Sequence, residues 1–276
     1  MEILVLAPYE AKLLKAVSSA KKINLGDFTL IGNKKKIYET CFRNKIDCQE
    51  FEIIDCNEER DIIDFTKKYL LKEVAYVIMG NISYYYQKQL YSIKENDDFN
   101  YINIIDFPLI NHFLFVSNFS HRERVDFEDK KKSIIKAYNF MNKLGIKRAN
   151  AALVTSIKTK AEVLESNIIK MILKDCNYRM INIVDSYKLY DLFEQNSLVN
   201  VYKNNINLLI FKTFESSNTF LETLNVLGTC KIGSILTYNN NYIIDTADIK
   251  NEHNIIFSML VLLKVLKNEE ILVETN

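Results

Sequence analysis

The sequence predicts an α/β protein of two domains, and three observations lead there. Short apolar runs of strand type alternate with segments whose apolar residues recur at helical spacing. Such repeated βα units argue for mainly parallel sheets covered by helices on both faces, a three-layer α/β/α arrangement. At least nine strand runs in 276 residues suggest two sheets, and hence two domains.

The elements follow in order. Ile3 to Leu6 reads as a strand, Pro8 suits a first helical position, and Leu13, Leu14, Val17 and Ala20 form a helical stripe. Phe28 to Ile31 is a strand closed by Gly32, with a basic helix from about Lys34. Phe51 to Ile54 is the third strand, and a helix carrying Ile62, Ile63, Phe65, Tyr69 and Leu70 follows. Val74 to Met79 is the fourth. From about Asp106 the character shifts: FPLINHFLFV reads as a strand introduced by Pro108, and a helix runs from about Phe127 to Leu144 with Gly145 as its stop. NAALVTSI, MINIV, NLLIF and IGSILT are further strands, and Asn254 to Leu266 is a final helix.

Bulk properties exclude several classes. A net charge of +1 gives no basic footprint for nucleic acid. The basic runs Lys34 to Lys36 and Lys130 to Lys132 read as solvated helix ends. No segment has the length of a membrane span: the apolar run Ile255 to Leu263 is stopped by Lys264. The opening residues do not read as a signal peptide. Five cysteines without a CxxC pair predict reduced, mostly buried thiols in a cytoplasmic protein, and neither Cys nor His shows the spacing of a metal site. Only six Gly and two Pro leave few of the turns that close a backbone on phosphate.

The stretch VAYVIMGNISYYYQ has a strand, then Gly80, then a helical pattern. Strand–turn–helix junctions of this kind favour an anion. Gly80 also serves simply as a turn glycine. Tyr84, Tyr85 and Tyr86 could stack on a flat ligand, fill space or cover a subunit contact.

With these elements in place the chain resembles the phosphate acetyl/butyryltransferases, phosphate butyryltransferase most of all. The likeness runs from ILVLAPYEAKLLKAVSSAKKINLGDFTLIGNKKKI through FEIIDCNEERDIIDF, VIMGNISYYYQ, INHFLF and FEDKKKSIIKAYNFMNKLGIKRANAALVTS to VDSYKLYD, FESSNTFLETL and the late ILT and TAD. It implies a two-domain fold like that of isocitrate and isopropylmalate dehydrogenases. Residues 1–105 with 253–276 would form one domain and 106–252 the other, with a ligand cleft between them. It implies transfer of an acyl group between coenzyme A and phosphate, with a coenzyme A thioester as substrate, no bound cofactor or metal, and a homodimer.

Carried over position by position, the resemblance gives Gly80, Ser83, His112, Asp185, Asp191, Asn218, Thr237 and Asp248 as substrate-binding candidates and assigns no catalytic residue. Met79 stands where the family's loop has Lys, Tyr84 replaces its Thr, and Asn111 replaces the Ser before His112. Ser217 and Glu222 replace a Gly and a basic residue, and Thr246 takes the place of an Arg. The family's Asp-bearing segment after the histidine is missing. Residue by residue, His112 also reads as a hydrogen-bonded core or cleft histidine, Asp185 as a carboxylate at a strand's carboxyl end, Asp191 as a surface group and Asn218 as a helix N-cap. Two function classes follow: an acyl-CoA:phosphate acyltransferase of the butyryl type, or a non-catalytic homologue that binds a ligand, regulates or partners another subunit.

Overall fold

The computed structural model describes residues 2–70, 76–91, 100–108, 110–119, 126–156, 159–188, 205–228, 230–238, 241–246, 249 and 251–274. The chain divides into two compact units, Met1–Phe99 with Gly233–Leu263 and Asn100–Ile232 with Lys264–Asn276.

In the first unit β1 (Glu2–Leu6), β2 (Asp27–Gly32), β3 (Glu52–Asp55) and β4 (Tyr76–Met79) alternate with α1 (Ala11–Lys22), α2 (Lys34–Arg43), α3 (Glu59–Leu70) and α4 (Tyr84–Tyr91). Ile3, Leu4, Val5 and Leu6 are buried as an unbroken run, the pattern of a parallel strand covered on both faces. Pro8 is not the first helical residue. Ala7 has a positive φ of 42°, Tyr9 N–H turns back to the Ala7 carbonyl at 2.8 Å, and α1 begins only at Ala11.

The second unit holds β5 (Asn100–Asp106), β6 (Leu114–Phe119), α5 (Phe127–Lys143), β7 (Ala149–Thr155), α6 (Lys160–Asp175), β8 (Ile181–Lys188), β9 (Leu208–Phe211) and α7 (Phe214–Leu227). Its strands lie in the order β5-β6-β9-β7-β8; β5 and β6 pair antiparallel and the rest parallel. One core cluster joins Ile105, Leu114, Val116, Val154, Leu209 and Leu221. Beside it, Asn100, Ser117 and Ser133 form a buried polar triangle with bonds of 2.8, 2.8 and 3.0 Å, so each desolvated group has a partner. The run from Pro108 is not one strand: Pro108 and Ile110 to His112 lie in turn and bend, β6 begins only at Leu114, and β5, which the sequence reading lacked, precedes them.

The chain then makes β10 (Lys231–Tyr238), β11 (Asn241–Asp245) and α8 (Glu252–Glu274). The stretch Gly233–Leu263 belongs to the first unit, whose strand order is β3-β2-β1-β4-β11-β10, whereas α8 from Lys264 onward belongs to the second. Among its described strands β10 and β11 pair antiparallel, and β1 with β2, β1 with β4, β2 with β3 and β4 with β11 pair parallel. The division expected, residues 1–105 with 253–276 against 106–252, differs from this one at β5, at the β10–β11 hairpin and at the end of α8, where Lys264–Asn276 goes with the second unit. The hairpin goes with the first unit because Tyr242 to Asp245 run parallel to Tyr76 to Met79. Lys12 Nζ donates to the Ile249 carbonyl at 2.9 Å, and Ser19 Oγ to Glu252 Oε1 at 3.1 Å, which ties the start of α8 to α1.

Two expectations about side chains are corrected. Cys41, at the end of α2, and Cys48 are joined in a disulfide rather than being free thiols, while Cys176 is exposed. The α2 helix and the Cys48–Glu50 turn bring these two residues to a Cα separation of 6.1 Å, within disulfide reach. Lys130 is not a solvated helix-end residue: it is 8% exposed and paired with Glu165 at 2.5 Å. No helix among the described residues is long and apolar enough to cross a membrane.

Candidate functional site

Ligands of open parallel sheets sit at the carboxyl ends of the strands, where the strand order reverses direction. In the first unit β1, β2 and β3 step outward on one side, and β4 lies on the other side of β1. The reversal therefore falls between β1 and β4, and its loops are Ala7–Glu10 and Gly80–Ser83. The sequence had singled out the second of these.

The two loops close on each other. Gly80 N–H donates to the Leu6 carbonyl at 2.9 Å and Asn81 N–H to the Ala7 carbonyl at 3.0 Å. Ile82 N–H turns back to the Gly80 carbonyl at 2.9 Å. Ser83 N–H and Oγ both donate to Glu59 Oε2, at 3.1 and 2.5 Å. All four loop N–H groups thus have internal acceptors. Glu59, from the first turn of α3, puts its carboxylate at the start of α4, where an external anion would otherwise be favoured. Gly80 is required for the approach itself: a Cβ there would stand 2.6 Å from both the Leu6 and Ala7 carbonyl oxygens.

The two positions that the resemblance fills with cations meet at this edge. Met79, 0% exposed, ends β4 with its side chain in the core. Thr246, 3% exposed, follows β11 and donates through both its N–H and Oγ1 to the Met79 carbonyl, at 3.1 and 2.8 Å. Neither carries a charge toward a ligand.

Along the same edge Tyr9 Oη accepts from Asn33 N–H at 2.8 Å. Burial, partly offset by this bond, holds the Tyr9 phenol above its ordinary pKa. The Cys56 thiol after β3 is likewise raised, by burial and then by Asp61 and Asp55. It is kept as a thiol rather than a nucleophilic thiolate. Asp55 accepts from Lys34 N–H and Asn33 caps Lys36 N–H, at 2.9 and 3.0 Å.

A second polar constellation lies at the carboxyl ends of β7 and β9 in the other unit. A cavity of about 10 Å³, room for a single water, is lined by Lys130, Thr155, Glu162, Glu165 and Lys212. Thr155 Oγ1 donates to Glu162 Oε1 at 2.5 Å, and Thr159 donates N–H and Oγ1 to Oε2 at 2.9 and 3.0 Å. These bonds, the Thr155 hydroxyl first, hold the Glu162 carboxyl below the usual range. Lys130 pairs with Glu165, and Lys212 approaches Glu162 at 3.9 Å. The two lysines and two carboxylates balance, so the constellation is a charge-neutral brace.

Of the residues predicted from sequence, Gly80 and Ser83 share one loop. Thr237 does not join them: it registers with Tyr242, and Tyr242 with Tyr76, at the amino end of β4. In the second unit His112 lies before β6, with Nε2 3.0 Å from the Ile206 carbonyl ahead of β9. That is the amino edge of the sheet. Asp185 pairs with Ala152 within β8 and β7. Asn218 sits inside α7, whose N-cap is Thr213 and not Asn218, because Thr213 Oγ1 accepts from Ser216 N–H at 3.1 Å. Asp191 and Asp248 lie outside the described residues. Glu59 and Glu162 were missed. Glu162 had a signal, the T-x-x-E spacing of a capping box after Thr159; Glu59 and the buried Lys130 had none.

These two units define a class, the α/β architecture with a mostly parallel sheet and helices on both sides. Within that class the chain is similar to a branched-chain phosphotransacylase from Enterococcus faecalis V583, with a TM-score of 0.75 at 12% identity over 96% of this chain and 99% of that one. A phosphotransacetylase from Streptococcus pyogenes matches at 0.67 and 11% identity, over 98% and 94% of the two chains. An isocitrate dehydrogenase from Methylococcus capsulatus matches at 0.54 and 11%, over 98% and 86%. No protein-family model and no curated protein matches the sequence.

Proposed function

We propose that this chain is a phosphate acyltransferase-like protein, acting on an acyl-CoA and phosphate, with butyryl-CoA as the preferred acyl donor and a homodimer as the working form. The observation that supports this reading most is the end-to-end likeness to the phosphotransacylase fold, over 96% of this chain and 99% of that one. In this reading phosphate does not rest on the loop after β4, because the N–H groups of Gly80, Asn81, Ile82 and Ser83 already have acceptors. Acyl transfer from a thioester to phosphate forms an O–C bond at the carbonyl and releases the CoA thiolate, and both anions need donors nearby. With Met79 and Thr246 buried, those donors have to come from elsewhere in the chain, and turnover is slow.

The same internal satisfaction supports a second reading, a non-catalytic homologue that keeps a ligand-binding or subunit-partner role. The test is CoA release from acetyl-CoA and butyryl-CoA with and without phosphate, alongside calorimetric titration with CoA. The expected result is measurable CoA binding with weak, phosphate-dependent release that is faster for butyryl-CoA. CoA binding without release selects the second reading; absence of both signals overturns the acyl-CoA assignment altogether.

A further inference from the structure

Charge is spread unevenly along this chain. Residues 11–45 hold nine lysines and arginines against two acidic residues, Asp27 and Glu39, a balance of +7 within a net charge of +1. The stretch forms α1, β2 and α2. The chain steps from β1 to β2 to β3 in one direction across the sheet, so right-handed crossovers put α1 and α2 side by side on one face. Lys15 and Lys22 on α1, and Lys34, Lys35, Lys36 and Arg43 on α2, are exposed. The first turn of α2 has three lysines and no acidic residue, against the preference of a helix amino end for negative charge.

Apolar side chains stand among these cations. Phe42 is 87% exposed, more than any other large apolar side chain among the described residues, and Tyr38, one turn earlier, is 44% exposed. Lys34 Nζ lies over the Tyr38 ring at 5.8 Å. Ile23, directly after α1, is 59% exposed. Both helices run back from the carboxyl ends of their strands, so Ile23 and Phe42 finish at the same edge. Ile37 and Cys41 serve the core on the inner side of α2, and the fold leaves Phe42 in water.

From these observations we infer that the α1–α2 face docks on an anionic membrane surface. Phe42, Tyr38 and Ile23 enter the headgroup layer, and the lysines face its negative charge. Charge complementarity selects an anionic occupant, and two features select lipid over nucleic acid. Eight of the nine cations are lysines, point charges suited to a diffuse negative surface, and the one arginine, Arg43, leans on Glu39 at 3.9 Å. Phe42 and Ile23 are wholly apolar tips, and Ile23 offers no ring on which a base could stack. Surface docking of this kind needs no spanning helix. The assignment holds whether or not the protein turns over acyl-CoA, so its failure and that of the enzymatic reading are separately visible.

The chain contains no tryptophan, so Phe42→Trp supplies a single reporter on this face. With the full chain and vesicles of phosphatidylcholine and phosphatidylserine, its emission should shift to the blue; with phosphatidylcholine alone it should not. Val226→Trp, at a site 84% exposed on α7, should stay unshifted with either. In co-sedimentation with the mixed vesicles, Phe42→Ser should weaken binding about tenfold and Lys22→Gln combined with Lys35→Gln about thirtyfold. Added salt should release the wild-type protein. Urea unfolding of each variant should match the wild type, because all these positions are exposed. The assignment is overturned by failure to sediment with mixed vesicles, by equal binding to phosphatidylcholine alone, or by binding that these variants leave unchanged. It is overturned equally by a Val226→Trp shift as large as that of Phe42→Trp, or by binding of a single-stranded oligonucleotide in place of vesicles.

Discussion

At Glu162 three donors converge on one carboxylate, so the group favours its charged form more in the folded chain than in the unfolded one. The folded pKa is lowered. The stability it contributes is therefore present above the unfolded value of about 4.3 and lost as pH falls through the lower folded value. Thr155→Val removes the first of the donors. Carboxyl-resolved NMR titration should then show Glu162 titrating at higher pH, and the acid-side loss of urea stability should become shallower. An unchanged titration would show that the Thr155 bond does not hold the carboxyl down. Gly80 is limited in a different way, by backbone oxygens that cannot rotate aside. Gly80→Ala should cost about 1–3 kcal/mol in urea unfolding, as overpacking does. A neutral result would mean that the loops between β1 and β4 open readily, and would reopen this junction as a ligand site.

Elements were legible wherever their signal was local. Apolar runs located β1 to β4 and β7 to β11 except β11 itself, and helical stripes located α1, α3, α5 and α8. The limits of α8 ran wider than its apolar core, from Glu252 to Glu274, because a helix continues through polar residues once its inner face is packed. What escaped was set by partners remote in sequence. NYIID carries too few residues to declare itself a strand, yet β4 supplies a parallel edge for it. YINIID was obscured in the same way, and its identity depends on the antiparallel pairing with β6. At the site, Gly80 was legible as a junction glycine, but the reason it must be glycine was not. That reason is two carbonyl oxygens more than seventy residues earlier in the chain, and no spacing rule reports such a contact. Glu59 escaped for a related cause: a first-turn carboxylate is ordinary for its own helix, and only the fold sets it against Ser83.

At the scale of the molecule, the first unit is built from two pieces of chain separated by all of the second unit's sheet. Within that unit β4 is covered on one side by β1 and on the other by β11, with Val77 and Ile78 registered to Ile243 and Ile244. Without the later piece, β4 would present a buried apolar edge to water, along with the Met79 carbonyl that Thr246 now satisfies. The contacts from α1 to Ile249 and Glu252 would be lost as well. Residues 1–99 alone should therefore fail to unfold cooperatively, despite holding β1 to β4 and α1 to α4. The same residues joined through a flexible linker to residues 233–263 should regain a cooperative urea transition followed by circular dichroism. Cooperative folding of 1–99 by itself would sink this division, because it would make β11 an ornament on a finished sheet. Failure of the joined piece, with 1–99 also unfolded, would show that the unit needs residues from outside both segments. The outcome bears on how such a chain folds: β1 to β4 emerge first, but their sheet waits for a hairpin made more than one hundred and fifty residues later.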